Sequence, residues 1–133
     1  MHDLAALVGR LLIIAIYIMA GIDKIGGFEG TAQFIASKGL PAAQLLTLAA
    51  IVFEALGGLM IAVGWQTRLA ALALAVFTAI ITPIFHGYWS VSGAERFGDY
   101  LNFWKNMGLI GGFLLLAAFG AGRFSLDGRR GEA

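Results

Sequence analysis

Four stretches of this chain, at about 4–22, 43–64, 68–87 and 102–120, each run for close to 20 residues with few charges. A helix needs about 20 apolar residues to cross the roughly 30 Å hydrocarbon core of a bilayer. Lipid offers no partner for a backbone N–H or C=O, so such runs span as helices. A membrane barrel would need strands of about 10 residues that alternate in polarity, and these runs do not alternate. Charged residues make up 13% of the chain, about half the fraction usual in soluble domains. A soluble fold of 133 residues has too little interior to hide 59% hydrophobic residues. The sequence therefore reads as an all-α integral membrane protein. It forms a four-transmembrane-helix bundle, a single domain over 1–133 with a flexible tail from about 123.

The connections refine this. The turn "GWQT" (64–67) is short enough to make spans 2 and 3 an antiparallel hairpin. Between spans 1 and 2, Phe28, Ala32 and Ile35 recur at helical spacing, and Gly39 followed by Pro41 is a stop signal. This predicts a short interfacial helix after the first span. Residues 87–100 form the one sizeable soluble loop. The N-terminal run lacks the basic start of a signal peptide and reads as an uncleaved first helix. Four spans place both termini and the 64–67 turn on one side. Arg68, Arg123, Arg129 and Arg130 lie there, against Lys24, Lys38, Arg96 and Lys105 opposite. If Lys24 and Lys105 are intramembrane groups, the positive-inside rule makes the termini cytoplasmic. Trp65 at one interface and Tyr88, Trp89, Tyr100 and Trp104 at the other form an aromatic belt.

Polar side chains are costly in lipid and should face the bundle interior. Steps of three and four align Arg10, Ile14, Tyr17, Gly21 and Lys24 on span 1. On span 2, Thr47, Ala50, Glu54, Gly57, Gly58 and Ile61 lie on one side, and on span 3 the same steps align Ala71, Ala75, Thr78, Thr82 and His86. On span 4 they align Lys105, Gly108, Leu109, Gly112 and Leu116, with Gly108 and Gly112 as a small-xxx-small pair. Glu54 lies roughly 15 Å from either end of its span and cannot snorkel out, so it is either protonated or paired. Lys24, His86, Lys105 and Asn106 share one leaflet above it, and Arg10 lies below. Glu54 is thus open to pairing with Arg10 or Lys105. Lys105 otherwise is a snorkelling anchor that points away from it. Thr82 has a bland alternative in bonding its own helix backbone, and Tyr17 in filling the core.

An excess of positive groups inside favours an acceptor-rich or anionic ligand: a quinone carbonyl, a sulfur oxyanion or a lipid phosphate. The absence of cysteine removes thiolate metal sites, iron–sulfur ligation and disulfide exchange from this chain. No metal site and no covalent cofactor are expected. A net charge of +1 with no basic block argues against nucleic acid.

The order and spacing of "GR" (9–10), "AGIDKIGGF" (20–28), "KGLP" (38–41), "FEALGGLMIAVGWQTRLAAL" (53–72) and "FWKNMGLIGGFLLL" (103–116) carry a family resemblance. The chain resembles the DoxX family of small four-helix bacterial membrane proteins. That resemblance implies the bacterial inner membrane and association with redox proteins. The family name is shared with a subunit of a thiosulfate:quinone oxidoreductase. By position it points to Arg10, Gly21, Lys24, Gly39, Pro41, Glu54, Gly64, Arg68, Lys105 and Asn106.

Three functions compete. The first is a quinone-interacting membrane subunit of an oxidoreductase. In it Glu54 and Lys105 carry the chemistry, and Arg10, Tyr17, Lys24, Thr82, His86 and Asn106 hold the ligand. Electrons then come from a redox partner protein or a soluble reductant. The second is a scaffold for redox partners, without catalysis. The third is a small transporter or lipid-binding protein, for which one bundle is thin unless it forms a homo-oligomer.

Overall fold

A computed structural model of the chain describes residues 1–131; the last two positions of the expected tail lie outside them. Among the described residues every regular element is a helix. α1 (His2–Gly26) leads, through Gly27 alone, into the short α2 (Phe28–Ser37). α3 (Ala43–Ile51), a π-helical turn (Val52–Leu56) and α4 (Gly57–Val63) follow without a break as one span. α5 (Thr67–Phe85), α6 (Ala94–Phe119) and a final short helix, α7 (Leu126–Arg129), complete the chain. Four helical segments are long and apolar enough to cross a membrane: His2–Gly26, Ala43–Val63, Thr67–Phe85 and Ala94–Phe119. The last starts eight positions earlier than the expected 102, so much of the expected 87–100 loop is the first two turns of α6.

Local chemistry sets the ends. The α4 terminus closes with two hydrogen bonds, Trp65 N to Met60 O (2.9 Å) and Gly64 N to Ile61 O (3.1 Å). This is a Schellman stop, which needs a left-handed residue at the position Gly64 fills with φ +72°. Gly39, also left-handed, follows the end of α2 and its cap Lys38, two residues before Pro41. It buries Ala32 and Ile35 and leaves its other face exposed, as its spacing predicts.

α5 packs mainly on α6, α1 on the π turn and α4, and α2 on α3. The apolar core joins Ile14, Tyr17, Ile61, Leu74, Phe113 and Leu116, with Ala70, Ala71 and Ala75 admitting close approach. Apart from Tyr17, which also lines the cavity described below, these residues lie toward the termini end of the bundle. Leu, Ile, Val and Phe cover the outside of every span, the inversion of a soluble surface that lipid requires.

Residues 121–129, which overlap the tail expected from about 123, bond back to the bundle. Arg10 donates to Ala121 O (2.6 Å) and to Phe124 O. Asp127 accepts from Gln66 N (2.9 Å) and Thr67 N (2.8 Å), and its own N–H donates to Gly64 O (2.8 Å). Asp127 thus caps α5, whose own preceding residue, Gln66, makes no side-chain cap. A carboxylate there satisfies two orphan donors and faces the positive end of the helix dipole. Burial opposes its charge, but the Thr67 and Gln66 N–H groups and Arg130 outweigh this and hold its pKa below the ordinary 3.8. Arg68 donates to Ala117 O (3.1 Å) and Ala118 O (2.7 Å), capping α6 at its other end.

Candidate intramembrane site

α1 presents Arg10, Ile14, Tyr17 and Gly21 inward, the stripe its spacing predicts. Gly21 lets α1 approach the π turn so closely that a Cβ there would sit 3.1 Å from Ala55 N. That approach sets Lys24, one turn on, against Glu54 on the same π turn. Lys24 Nζ lies 2.8 Å from Glu54 Oε2, with the carboxylate side chain 6% exposed and the lysine 25%. Glu54 is therefore paired, and its partner is neither Arg10 nor Lys105. At that separation the ammonium and the carboxylate form a buried, charge-assisted pair. Lys24 Nζ itself leans on Ala20 O at 3.5 Å.

A buried polar ladder crosses from α1 to α6. The Tyr17 hydroxyl meets Thr78 Oγ1 at 2.6 Å. Thr78 Oγ1 donates to Leu74 O and Thr82 Oγ1 to Thr78 O, the backbone bonds expected of helix threonines. Asn106 Nδ2 donates to Thr82 Oγ1 at 3.1 Å. Every hydroxyl in the ladder has a partner, so its first role is to tie α1, α5 and α6 together.

Between the ladder and the loop end lies a cavity of about 260 Å³. Tyr17, Lys24, Glu54, His86 and Asn106 line it, and Ile16, Phe34, Phe77, Ile81, Phe85 and Leu109 supply most of its apolar wall. Ile16 and Phe34 are also exposed on the outer surface, so the cavity reaches the side of the bundle. A second hollow, lined by Asp23, Lys24, Gly27, Gly30 and Thr31, adjoins it at Lys24. At the rim, His86 Nδ1 meets Asp99 Oδ1 at 3.2 Å, joining the end of α5 to the start of α6.

The structure separates two residues from this site. Lys105 is exposed and donates to Asn102 Oδ1 at 2.8 Å. It points away from Glu54, as the anchoring alternative requires. Consecutive helical residues lie about 100° apart, so either Lys105 or Asn106 can face inward, and Asn106 does. The expected α6 stripe is correspondingly displaced: Asn106, Phe113 and Leu116 are buried, and Gly108 meets no neighbour. Gly112 does pack, against Ile13. Arg10, though buried, serves the chain end rather than the cavity. The site residues missed by polarity are the aromatics Phe34, Phe77 and Phe85. A tilted Phe34–Phe85 pair (5.6 Å) shows α2 lying over the cavity mouth, and the α2 periodicity was the available signal. Among the described residues no cluster of three metal-ligating side chains occurs.

Comparison with known proteins adds a family. The chain is 38% identical over 123 residues to inner membrane protein YphA of Escherichia coli (strain K12), covering 92% of this chain and 88% of that protein. It is 39% identical over 127 residues to inner membrane protein YqjF of the same strain, covering 96% and 92%. It is 37% identical over 82 residues to a Bacillus subtilis (strain 168) protein named "Putative oxidoreductase CatD", covering 60% of each. No solved structure matches. The DoxX family profile matches residues 5–87, which include Tyr17, Lys24, Glu54 and Thr82; the chain belongs to the DoxX family.

Proposed function

We propose that the protein is a quinone-interacting membrane subunit of an oxidoreductase, in a bacterial inner membrane with both termini cytoplasmic. The observation that carries this reading is the cavity: apolar and aromatic over most of its wall, with the Lys24–Glu54 pair set into it. Ligand sites commonly combine such a wall with a few converging polar groups, and this one lies just below their usual range of about 300–1,000 Å³. It suits a ring rather than a folded lipid. Its side opening beside Ile16, at mid-span, admits a molecule dissolved in the bilayer.

The residues divide the work. Lys24 donates to a ring oxygen, Phe34, Phe77 and Phe85 pack on the ring, and Glu54 exchanges a proton with it through the hollow beside Asp23. Electrons reach the ring from a partner protein or a soluble reductant. The charge balance favours a neutral ligand over a sulfur oxyanion or a lipid phosphate, because the one lysine in the cavity already has its counter-ion. The relatives' names support an inner-membrane location, and the Bacillus name supports a redox setting.

The test is extraction. Protein purified from membranes in mild detergent is expected to carry quinone in near-stoichiometric amount by solvent extraction and chromatography. Ala20→Phe, which fills the cavity, is expected to remove it. Absence of quinone from the unaltered protein, with no uptake on adding it back, overturns the reading.

A further inference from the structure

We infer that His86, held by Asp99, exchanges a proton with the second oxygen of the ring, across from the oxygen that Lys24 contacts. The inference rests on the proposed quinone-type ligand and goes beyond it to a second polar pole and its proton carrier.

A para-quinone carries two oxygens on opposite edges of its ring, and its reduced form carries a hydroxyl at each. A site that meets both needs polar groups on two walls. Lys24 comes from α1. His86 closes α5, its backbone N–H bonded to Thr82 O at 2.8 Å, and it lines the same cavity. The other titratable groups there are committed: the Tyr17 hydroxyl meets Thr78 Oγ1, and Glu54 pairs with Lys24. The His86 side chain is 28% exposed, so a ligand can reach it. Among the described residues its one side-chain hydrogen bond is that of Nδ1 with Asp99 Oδ1, at 3.2 Å. Nε2 is left for a ligand.

Asp99 decides what Nε2 can do. An ionised carboxylate only accepts, so Nδ1 carries the proton of that contact. Nε2 then bears a lone pair in the neutral imidazole and a proton in the imidazolium. The lone pair accepts from a ring hydroxyl, and the charged form donates to a ring carbonyl. In the transfer the ring O–H bond breaks and the Nε2–H bond forms. The reverse step returns the proton, and no electron moves in either. Asp99 is a positioning residue, since it acts through His86. Few charged groups face this histidine. α6 supplies Asp99, α1 supplies Lys24, the π turn supplies Glu54, and α2 lines the cavity with no titratable side chain.

The test is the pH profile of quinone binding. A short-chain benzoquinone is titrated by calorimetry into the full chain in nanodiscs, from about pH 5 to about pH 8, with empty nanodiscs as the blank. A carbonyl needs the imidazolium, so affinity is expected to fall at least about tenfold over that range. At the upper end, titration in two buffers of different ionisation enthalpy is expected to show net proton uptake on binding. His86→Gln keeps a side-chain donor but does not titrate, and is expected to bind with a flat profile. A carboxylate favours a charged imidazole beside it, so Asp99→Asn is expected to move the fall in affinity to lower pH. A flat profile in the unaltered protein, or one that His86→Gln leaves unchanged, overturns this inference and leaves the quinone reading standing. Absence of binding at every pH overturns both. An unshifted profile in Asp99→Asn overturns the role given to Asp99. If His86→Gln does not fold, zero proton uptake by the unaltered protein still overturns the inference.

Discussion

Lys24 and Glu54 are the residues on which most of this rests. Removing one member of a buried pair strands the other, at a cost of about 3–5 kcal/mol when burial is complete. Lys24 is partly exposed, so the cost here is smaller. Lys24→Met is expected to lower the thermal midpoint in detergent, and Lys24→Met with Glu54→Gln to recover most of the loss. If the double variant is as unstable as the sum of the two singles, the residues do not act as a pair. Lys105 gives the contrast. It is exposed, so Lys105→Ala is expected to change stability by no more than about 0.5 kcal/mol and to leave ligand content unaltered. That Glu54 lay inside was legible in the sequence, because no route to water exists from mid-span. Its partner was not. The choice among Arg10, Lys24 and Lys105 turned on helix–helix approach at Gly21 and on which of two adjacent α6 residues faces inward.

At the level of elements, the sequence carried the faces of α1, α3–α4 and α5, where polar residues recur at helical steps. It misled on α6. Glycines there suggested a packed face, yet Gly108 meets no neighbour and the buried positions are Asn106, Phe113 and Leu116. A glycine marks close approach only if another helix is present, and apolar composition alone does not say on which side it lies. The terminal helix α7 was illegible for a similar reason: it is too short to carry periodicity, and Asp127 acts on a turn some 60 residues away. Asp127→Ala is expected to destabilise by about 0.5–2 kcal/mol, the usual value of a helix cap. Its pH dependence has a definite sign. The folded pKa lies below the ordinary 3.8, so the contribution is complete above that value and fades as pH falls through the folded one. Thermal unfolding below about pH 4 is expected to weaken the unaltered protein more than Asp127→Asn. Equal acid sensitivity would remove Asp127 from this role.

On the scale of the whole molecule, the bundle is close-packed toward its termini and hollow toward the loop end, with α2 laid across the opening. The termini-side fastening by Arg10, Arg68 and Asp127 holds the packed half, and the cavity lies in the other. The proposed orientation, with both termini cytoplasmic, rests on the distribution of Lys and Arg, and the absence of cysteine makes it simple to check. With a membrane-impermeant maleimide on intact spheroplasts, Ser90→Cys is expected to label and His2→Cys to label only after lysis. The reverse pattern inverts the topology.

The central claim, that a quinone-type ring sits against the Lys24–Glu54 pair, is met most directly by photo-crosslinking with an azidoquinone in native membranes, followed by peptide mapping. The expected result is adducts confined to residues 16–24 of α1, 31–35 of α2 and 77–86 of α5, displaced by excess unlabelled quinone. Adducts spread over the lipid-facing surface, or insensitive to that excess, would contradict it.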